Sequence, residues 1–412
     1  MHLNRKNIIL ISIIAVLALL LGGAYIWYSS NYGNMKKLTV ENLSTLDYEY
    51  KSIASTNGLT GDYIWSRTKE LMLVGASDGT LIPSNLTIEG RLVSEPQEES
   101  GEYKLSDQAL LLLSYVRRSD RFAATNLVNR VSEEYDFSTQ NNYENSSWLE
   151  ALIEYYSAFG KSSDYDKITA LVDIIFEEDG SLKKETISVS SYNSSDYVST
   201  ADEVTGDGHS SLDSFEDEGS YYTFDGVIIS SINLSLIRTL ENNALLPEGS
   251  FERNLEIVLN SRVSESIKLY AYAYEILDDG TYSYINSHNV PAAVDVSESI
   301  LTMRNLSEVN ALPQDVYLWL KSTFFNNPTL YDTYYFVTGA ISGNEAVDSY
   351  VDVLNIAINM DDSDLFSRAI GNISSRVATY NNSPALSMIY RSRDDRYVFF
   401  ARENLEIELM LL

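Results

Sequence analysis

The sequence predicts an all-α protein, an (α/α)6 toroid of helical hairpins, carried behind a single N-terminal transmembrane helix. Three observations predict it. About a dozen segments place apolar residues at helical spacing. No alternation of strands with helices interrupts them, which sets a parallel-sheet fold aside. The links between segments are unequal, from a few residues to the whole of 188–220. An open helical solenoid is the rival architecture, but it would show repeats of steady length. A ring instead gathers long loops around a cleft at one end.

Residues 1–28 read as a cytosolic stub and membrane anchor. Ile8 to Ile26 is an apolar run broken only by Ser12, and at ~1.5 Å per residue it just spans a ~30 Å hydrocarbon core. Trp27 and Tyr28 sit where an interfacial aromatic anchor belongs. Arg5 and Lys6 precede the run, so the N-terminus is expected inside and the rest outside, with Lys36 and Lys37 opposing weakly. A cleaved signal peptide, with Gly22 and Ala24 as small residues before the cut, is the alternative. Residues 29–58 read as a polar stalk, and 59–412 as the toroid domain.

Within that domain Asp62 to Val74 is the first amphipathic segment, stopped by the Ser77-Asp78-Gly79 turn. Ser106 to Val116, Asp120 to Tyr135, Ser146 to Phe159 and Asp164 to Glu178 follow. Gly160 ends the third of these, and Asp179-Gly180 the fourth. Their short links predict antiparallel hairpins. Residues 188–220 nearly lack large aliphatics and read as a long solvated acidic loop. Asp202, Glu203, Asp207, Asp213, Glu216, Asp217 and Glu218 offer oxygen ligands for calcium, but at spacings that fit no EF-hand. Helical patterns resume over Asp225 to Leu240, Phe251 to Leu259, Ser264 to Ile276, Val294 to Val309 and Pro313 to Phe325. Leu330 to Ile341, Glu345 to Met360, Asp364 to Tyr380 and Val398 to Met410 complete the series.

Composition narrows the chemistry. A net charge of −30 repels phosphate backbones, so no nucleic-acid partner is expected. Without cysteine there is no disulfide and no thiolate metal site. The histidines are only His2, His209 and His288, and no Gly-x-Ser-x-Gly elbow supports a nucleophilic triad. There is no P-loop and no Gly-x-Gly-x-x-Gly. No metal and no cofactor are therefore expected. Thirty tyrosines hint at stacking on sugar rings, although most of them suit cores and helix interfaces. Carboxylates are abundant, and a pair of them suffices for glycoside hydrolysis.

Specific motifs sharpen that last point. Asp78-Gly79-Thr80-Leu81-Ile82-Pro83 forms a turn, Leu105-Ser106-Asp107-Gln108 opens a helix, and Ser119-Asp120-Arg121-Phe122 opens the next. In this order and spacing they resemble the opening of family 8 glycoside hydrolases, in particular the endoglucanases associated with bacterial cellulose and exopolysaccharide synthesis. The resemblance implies a general acid at the motif's Glu, where this chain carries Asp107 if Ser106 is aligned to the motif's Ser. It implies a sugar-binding role for Glu144, and for Trp148 either stacking or core. The family's Asn-Pro-Ser-Tyr segment is similar to Glu218-Gly219-Ser220-Tyr221-Tyr222, which implicates Tyr221, Tyr222 and the following Asp225 in substrate binding. The family's general base lies in a helix start that matches Val294-Asp295-Val296-Ser297-Glu298-Ser299, which makes Asp295 the base candidate. The Arg of that motif is not reproduced. Asp107 and Asp295 each sit at the start of a helix, where capping and the dipole account for either alone.

The resulting expectation is a membrane-anchored, extracytoplasmic, endo-acting and inverting glycoside hydrolase on an extracellular β-linked polysaccharide. Its partners are that polysaccharide, the bilayer through Ile8–Ile26, and polysaccharide synthase components. The alternatives are a catalytically degenerate glycan-binding protein and a helical protein-binding scaffold.

Overall fold

The computed structural model describes residues 36–40, 46–73, 79–94, 97–98, 102–191, 220–277, 279–288, 293–327, 329–335, 341–393 and 396–412. The apolar run Ile8–Ile26 and most of the acidic loop, including its calcium candidates, lie outside these residues. Among the described residues no helix is long and apolar enough to cross a membrane.

Six helices form an inner ring: α3 (Leu105–Arg117), α5 (Asn142–Phe159), α7 (Leu234–Asn242), α9 (Val296–Glu308), α11 (Ser349–Asn359) and α13 (Ala401–Leu411). Each of the first five is followed by an outer helix: α4 (Arg121–Glu134), α6 (Ser162–Ile175), α8 (Ser250–Asn260), α10 (Gln314–Asn326) and α12 (Ser363–Ser374). The sixth outer position is taken from the start of the domain by α2 (Gly61–Thr68), which packs on α13. α13 also packs on α3, and that contact closes the ring. The first helix, α1 (Tyr48–Thr56), lies against α12 with Tyr50 and Ala54 buried, so residues expected in the stalk belong to the folded body.

Local chemistry sets these elements. Asp120, Asn141, Asn233 and Asp362 each cap the following helix through a side-chain oxygen. Apolar faces at helical spacing then pack inward: Leu111 and Leu112 of α3, Leu149 and Leu152 of α5, and Val353 and Leu354 of α11 are all buried in one continuous core. Beyond that core the ring axis is polar. A cavity of about 340 Å³ there is lined by Ser106, Ser147, Glu150, Arg304, Asn355 and Glu406, among others.

Strands are present where helices or loops were expected. β3 (Glu185–Ser191) and β4 (Ser220–Ile228) pair as a hairpin, so both ends of the acidic loop are extended sheet and Asp225 lies in a strand rather than opening a helix. β5 (Ala273–Ile276) and β6 (Tyr282–Ile285) complete that sheet, correcting the helix expected over Ser264 to Ile276. β6 lies in the one piece, Gly280 to Ile285, that the sequence marks as extended. β7 (Ala293–Asp295), β8 (Tyr331–Tyr335) and β9 (Ile341–Glu345) form a second sheet where Leu330 to Ile341 was expected to be helical. A third sheet has the order β10 (Arg391–Arg393), β11 (Arg396–Phe400), β1 (Asn85–Glu89), β2 (Gln97–Glu98). β7 runs directly into α9 and β11 directly into α13, while β4 reaches α7 through a short 3-10 turn, Ile229–Ser231. The sheets therefore stand at the end of the ring where the inner helices begin.

Candidate active site

The inner helices run parallel, so their N-termini collect at one end. The polar ladder down the ring supports this: Arg402 near the start of α13 approaches Asp352 near the start of α11, whereas Asn359 at the end of α11 donates to Ser307 at the end of α9. Asp107, Glu144, Asp295, Asp352 and Arg402 thus belong to one end of the molecule.

The motif residues hold one another. Gly79 adopts φ +67°, the left-handed turn conformation that favours glycine. The turn it opens is clasped to α3 by Gln108, whose amide accepts from the Ile82 N–H at 2.9 Å and donates to the Ile82 carbonyl at 2.8 Å. Ser106 next door donates its backbone N–H to Glu144 Oε2 at 2.5 Å and its hydroxyl to Oε1 at 3.0 Å. Glu144 is thereby pinned beside Asp107, and its charge is felt there.

Asp107 is 2% exposed, and its Oδ2 has no hydrogen-bond partner among the described residues. Burial, reinforced by the neighbouring Glu144 charge, pushes its carboxyl up to about 7, against the opposing pull of Ser84, Lys104 and Arg402. It does not cap α3, whose N-cap position is Lys104. A carboxyl in this state holds a proton near neutral pH and can give it up, which is what a general acid requires.

Asp295 is the N-cap residue of α9, yet its side chain makes no cap bond. It turns instead to the preceding loop. Ser287 donates its hydroxyl to Oδ1 at 2.7 Å, the His288 backbone N–H donates to Oδ2 at 3.0 Å, and His288 Nδ1 lies 2.6 Å from the same oxygen. The hydrogen bond to Asp295 holds the His288 imidazole above the usual histidine range. A carboxylate has about four acceptor sites, so these three donors leave one on Oδ1 for a water. His288 also stands against the Tyr272 ring, with centroids 5.2 Å apart.

Two groups that sequence reasoning passed over complete the cluster. Glu298, in the first turn of α9, is pushed up by burial and accepts a hydrogen bond from Ser230, while the charge of Asp295 raises it further. Arg402 lies over the Tyr143 ring, 5.8 Å from its centroid, and 3.7 Å from Asp352 Oδ2. Its positive charge reaches both Asp107 and Glu298. An arginine in the first turn of a helix works against the helix dipole, and that misplacement is the sequence signal that marks it.

The other candidates lie differently. Trp148 is 1% exposed in α5 and is core. Tyr222 is exposed, stacks on Phe224 and donates to Glu275 at 2.9 Å, and Asp225 is exposed and accepts from Thr186 at 2.9 Å. Both belong to the hairpin sheet, and no described contact joins them to Asp107 or Asp295. Of Tyr221 only the backbone pairing with Ser190 is described. A cleft of about 1030 Å³ opens at the starts of α9, α11 and α13, lined by Ser297, Asp348, Arg376, Tyr390, Arg391 and Phe400, among others. Two of its arginines are ion-paired, Arg376 with Glu345, and Arg391 with Glu403 and Asp348.

No family model matches the chain, and no curated protein matches it. Solved structures do. The chain is similar to a novel alpha-amylase from Clostridium perfringens, with 16% identity, a TM-score of 0.58, and coverage of 84% of this chain and 98% of that one. It is similar to PssZ from Listeria monocytogenes, with 14% identity, a TM-score of 0.51, and coverage of 85% and 96%. It is similar to a beta-1,3-1,4-glucanase from Paenibacillus sp. X4, with 10% identity, a TM-score of 0.51, and coverage of 92% and 94%. These likenesses are ones of fold: the chain shares the helical architecture of these three structures over 84 to 92% of its length.

Proposed function

We propose that this chain is a divergent relative of the family 8 glycoside hydrolases, held at a membrane by Ile8–Ile26 with its toroid outside the cytosol. It would cleave an extracellular β-linked polysaccharide internally and with inversion. One observation carries the reading: Asp107, at the position where the motif resemblance puts a general acid, is a buried carboxyl pushed up to about 7 within a cluster contributed by several inner helices. Protonated Asp107 would give its proton to the leaving glycosidic oxygen. Asp295, fixed by Ser287 and His288, would accept a proton from the attacking water through its remaining acceptor site. Arg402 would steady the negative charge left on Asp107 after transfer. The two carboxylates keep separate roles because their surroundings differ: one is buried without a cation in direct contact, the other is held by three donors.

A second reading, a glycan-binding protein that has lost catalysis, is favoured by the near-complete burial of Asp107 and by the shorter side chain at the motif's Glu position. The discriminating experiment incubates the purified protein with β-glucan, mannan and a native exopolysaccharide, following new reducing ends and retention on the immobilised glycans. Because fold neighbours include both an alpha-amylase and a beta-glucanase, starch belongs in the panel. Cleavage supports the hydrolase; retention without cleavage supports the binding protein; neither leaves only the architecture.

A further inference from the structure

The end of the ring opposite the cleft has a distinct character. Here the inner helices finish and the outer helices begin. Residues 36–40 cross this end as a strap. The Tyr156 hydroxyl donates to the Lys36 carbonyl at 2.7 Å, and the Lys36 ammonium lies over the Tyr165 ring, 4.8 Å from its centroid. Thr39 and Asn243 exchange two hydrogen bonds, from the Thr39 N–H to Asn243 Oδ1 at 2.8 Å and from Asn243 Nδ2 to the Thr39 carbonyl at 2.9 Å. Val40 lines the axial cavity together with Leu113, Glu154 and Met410, near the far ends of α3, α5 and α13. The strap is therefore fastened to the α5–α6 and α7 corners and not to the sheets that flank the cleft.

Exposure at this end is unusual. The three most exposed large hydrophobic side chains among the described residues are Tyr48 at 87%, Phe122 at 79% and Tyr63 at 68%. Phe122 and Tyr63 stand in the first turn of the outer helices α4 and α2, and Tyr48 in the first turn of α1. That these helix starts lie at the closed end is fixed by their contacts. Asp62 pairs with Arg118 past the end of α3, Arg121 reaches the Phe159 carbonyl at the end of α5, and Lys51 of α1 donates to the Leu412 carbonyl. Aromatic side chains with little else to cover them favour the headgroup region of a bilayer.

The sequence limits how far this end stands from a membrane. Seven residues, Ser29 to Met35, separate Tyr28 at the edge of the apolar run from Lys36 in the strap. At full extension the chain from Tyr28 to Lys36 spans roughly 25–30 Å. The inner helix α3 alone rises about 20 Å from this end toward the cleft.

We propose that the closed end of the toroid, carrying Tyr48, Tyr63 and Phe122, is the face that rests on the lipid surface, so that the end carrying Asp107, Asp295 and the large cleft faces away from the bilayer. The inference rests on the anchor in the reading above and is independent of whether glycan is cleaved. A short tether fastened at the closed end holds that end down, and the exposed aromatics then meet the headgroups. A polymer reaching the cleft would approach from the aqueous side.

The chain has no native cysteine, so single cysteines give unambiguous labels. The test places a fluorophore at Tyr63→Cys or Phe122→Cys on the closed end, or at Ser375→Cys or Ser392→Cys at the cleft end, in the full chain reconstituted into phosphatidylcholine–phosphatidylglycerol vesicles. A headgroup-linked quencher in the outer leaflet reads proximity. Quenching at the closed-end sites at least twofold stronger than at the cleft sites is expected. Equal quenching, or stronger quenching at Ser375 and Ser392, overturns the proposal. So does failure of the full chain to float with the vesicles. If the vesicle-bound protein gives the expected pattern yet cleaves no glycan, the orientation stands and only the hydrolase reading falls.

Discussion

Asp107 and Glu406 are both buried carboxylates on inner helices, yet the protein treats them in opposite ways. Burial pushes both upward. At Glu406 the two guanidiniums, Arg304 at 3.1 Å and Arg402 at 3.6 Å, overcome that push and hold the carboxyl below its ordinary value. At Asp107 no cation makes direct contact, the Glu144 charge adds to the push, and the carboxyl rises to about 7. The first is an ion-pair network that ties α9, α11 and α13 together around the ring axis. The second keeps an ionisable group under-satisfied. Burial raises Glu150 in α5 to about 7 as well, so the raised carboxyl argues for chemistry at Asp107 only together with its place in the motif beside Glu144.

The largest effect that would break this comparison is on activity. Asp107→Asn removes the transferable proton while keeping shape, and cleavage of polysaccharide is expected to fall at least ~100-fold with binding retained. Reducing-end kinetics and a binding isotherm on the same preparation check it.

The next effect is on stability. Glu406→Gln leaves Arg304 and Arg402 short of a buried counter-charge and is expected to destabilise the fold by ~3 kcal/mol. A drop in Tm of several degrees at pH 7 checks it. An unchanged Tm would show that the arginine network is not structural.

The two residues also predict opposite pH behaviour. A carboxyl raised in the folded state contributes stability that is fully present below about pH 4 and is lost as pH rises through about 7, because the unfolded chain releases its proton first. Asp107→Asn therefore flattens the stability profile between about pH 4 and 7 and leaves the variant more stable than wild type at pH 8. Glu406 is lowered in the folded state, so its contribution is present above the ordinary glutamate range and is lost as pH falls through the folded value. Denaturation midpoints at about pH 3, 5 and 8 for wild type and both variants separate the two signs, Asp107 acting between the upper pair and Glu406 between the lower pair.

A smaller effect concerns His288. Its raised pKa means that the protonated imidazole and Asp295 pair most strongly on the acid side, and that the pairing weakens as pH rises through the raised value. His288→Gln is expected to reduce turnover ~10-fold with little change in KM and to shift one limb of the pH–rate profile. A uniform fall at all pH values would assign His288 a structural role only.

Much of this was legible in the sequence. Helices such as α3 to α6 show clean apolar periodicity, because one face of each packs on a continuous core; Asp120 caps α4 and Gly160 follows α5 as read, whereas α3 starts behind Lys104 and α6 ends at Ile175, before Gly180. The strands were not legible by the same rule. β8 (Tyr331–Tyr335) is half-buried along its whole length, so it lacks the alternation that marks a two-faced strand. β4 alternates only over Thr223 to Gly226, with Thr223 and Asp225 exposed against buried Phe224 and Gly226, too short a stretch beside the acidic loop to be read as a strand. Asp107 and Asp295 were found through the motif resemblance. Arg402 and Glu298 were not, because their importance lies in which helices converge, and a single chain read in order does not state that.

The most direct test of the account uses two substrates on one variant. Asp107→Asn is assayed on any polysaccharide that the wild type is found to cleave and on the matching glycoside with a dinitrophenyl leaving group, which departs without protonation. Cleavage of the polysaccharide is expected to be lost while release of dinitrophenol stays within about tenfold of wild type. Equal loss on both substrates, or wild-type cleavage of the polysaccharide by the variant, would contradict Asp107 as the proton donor.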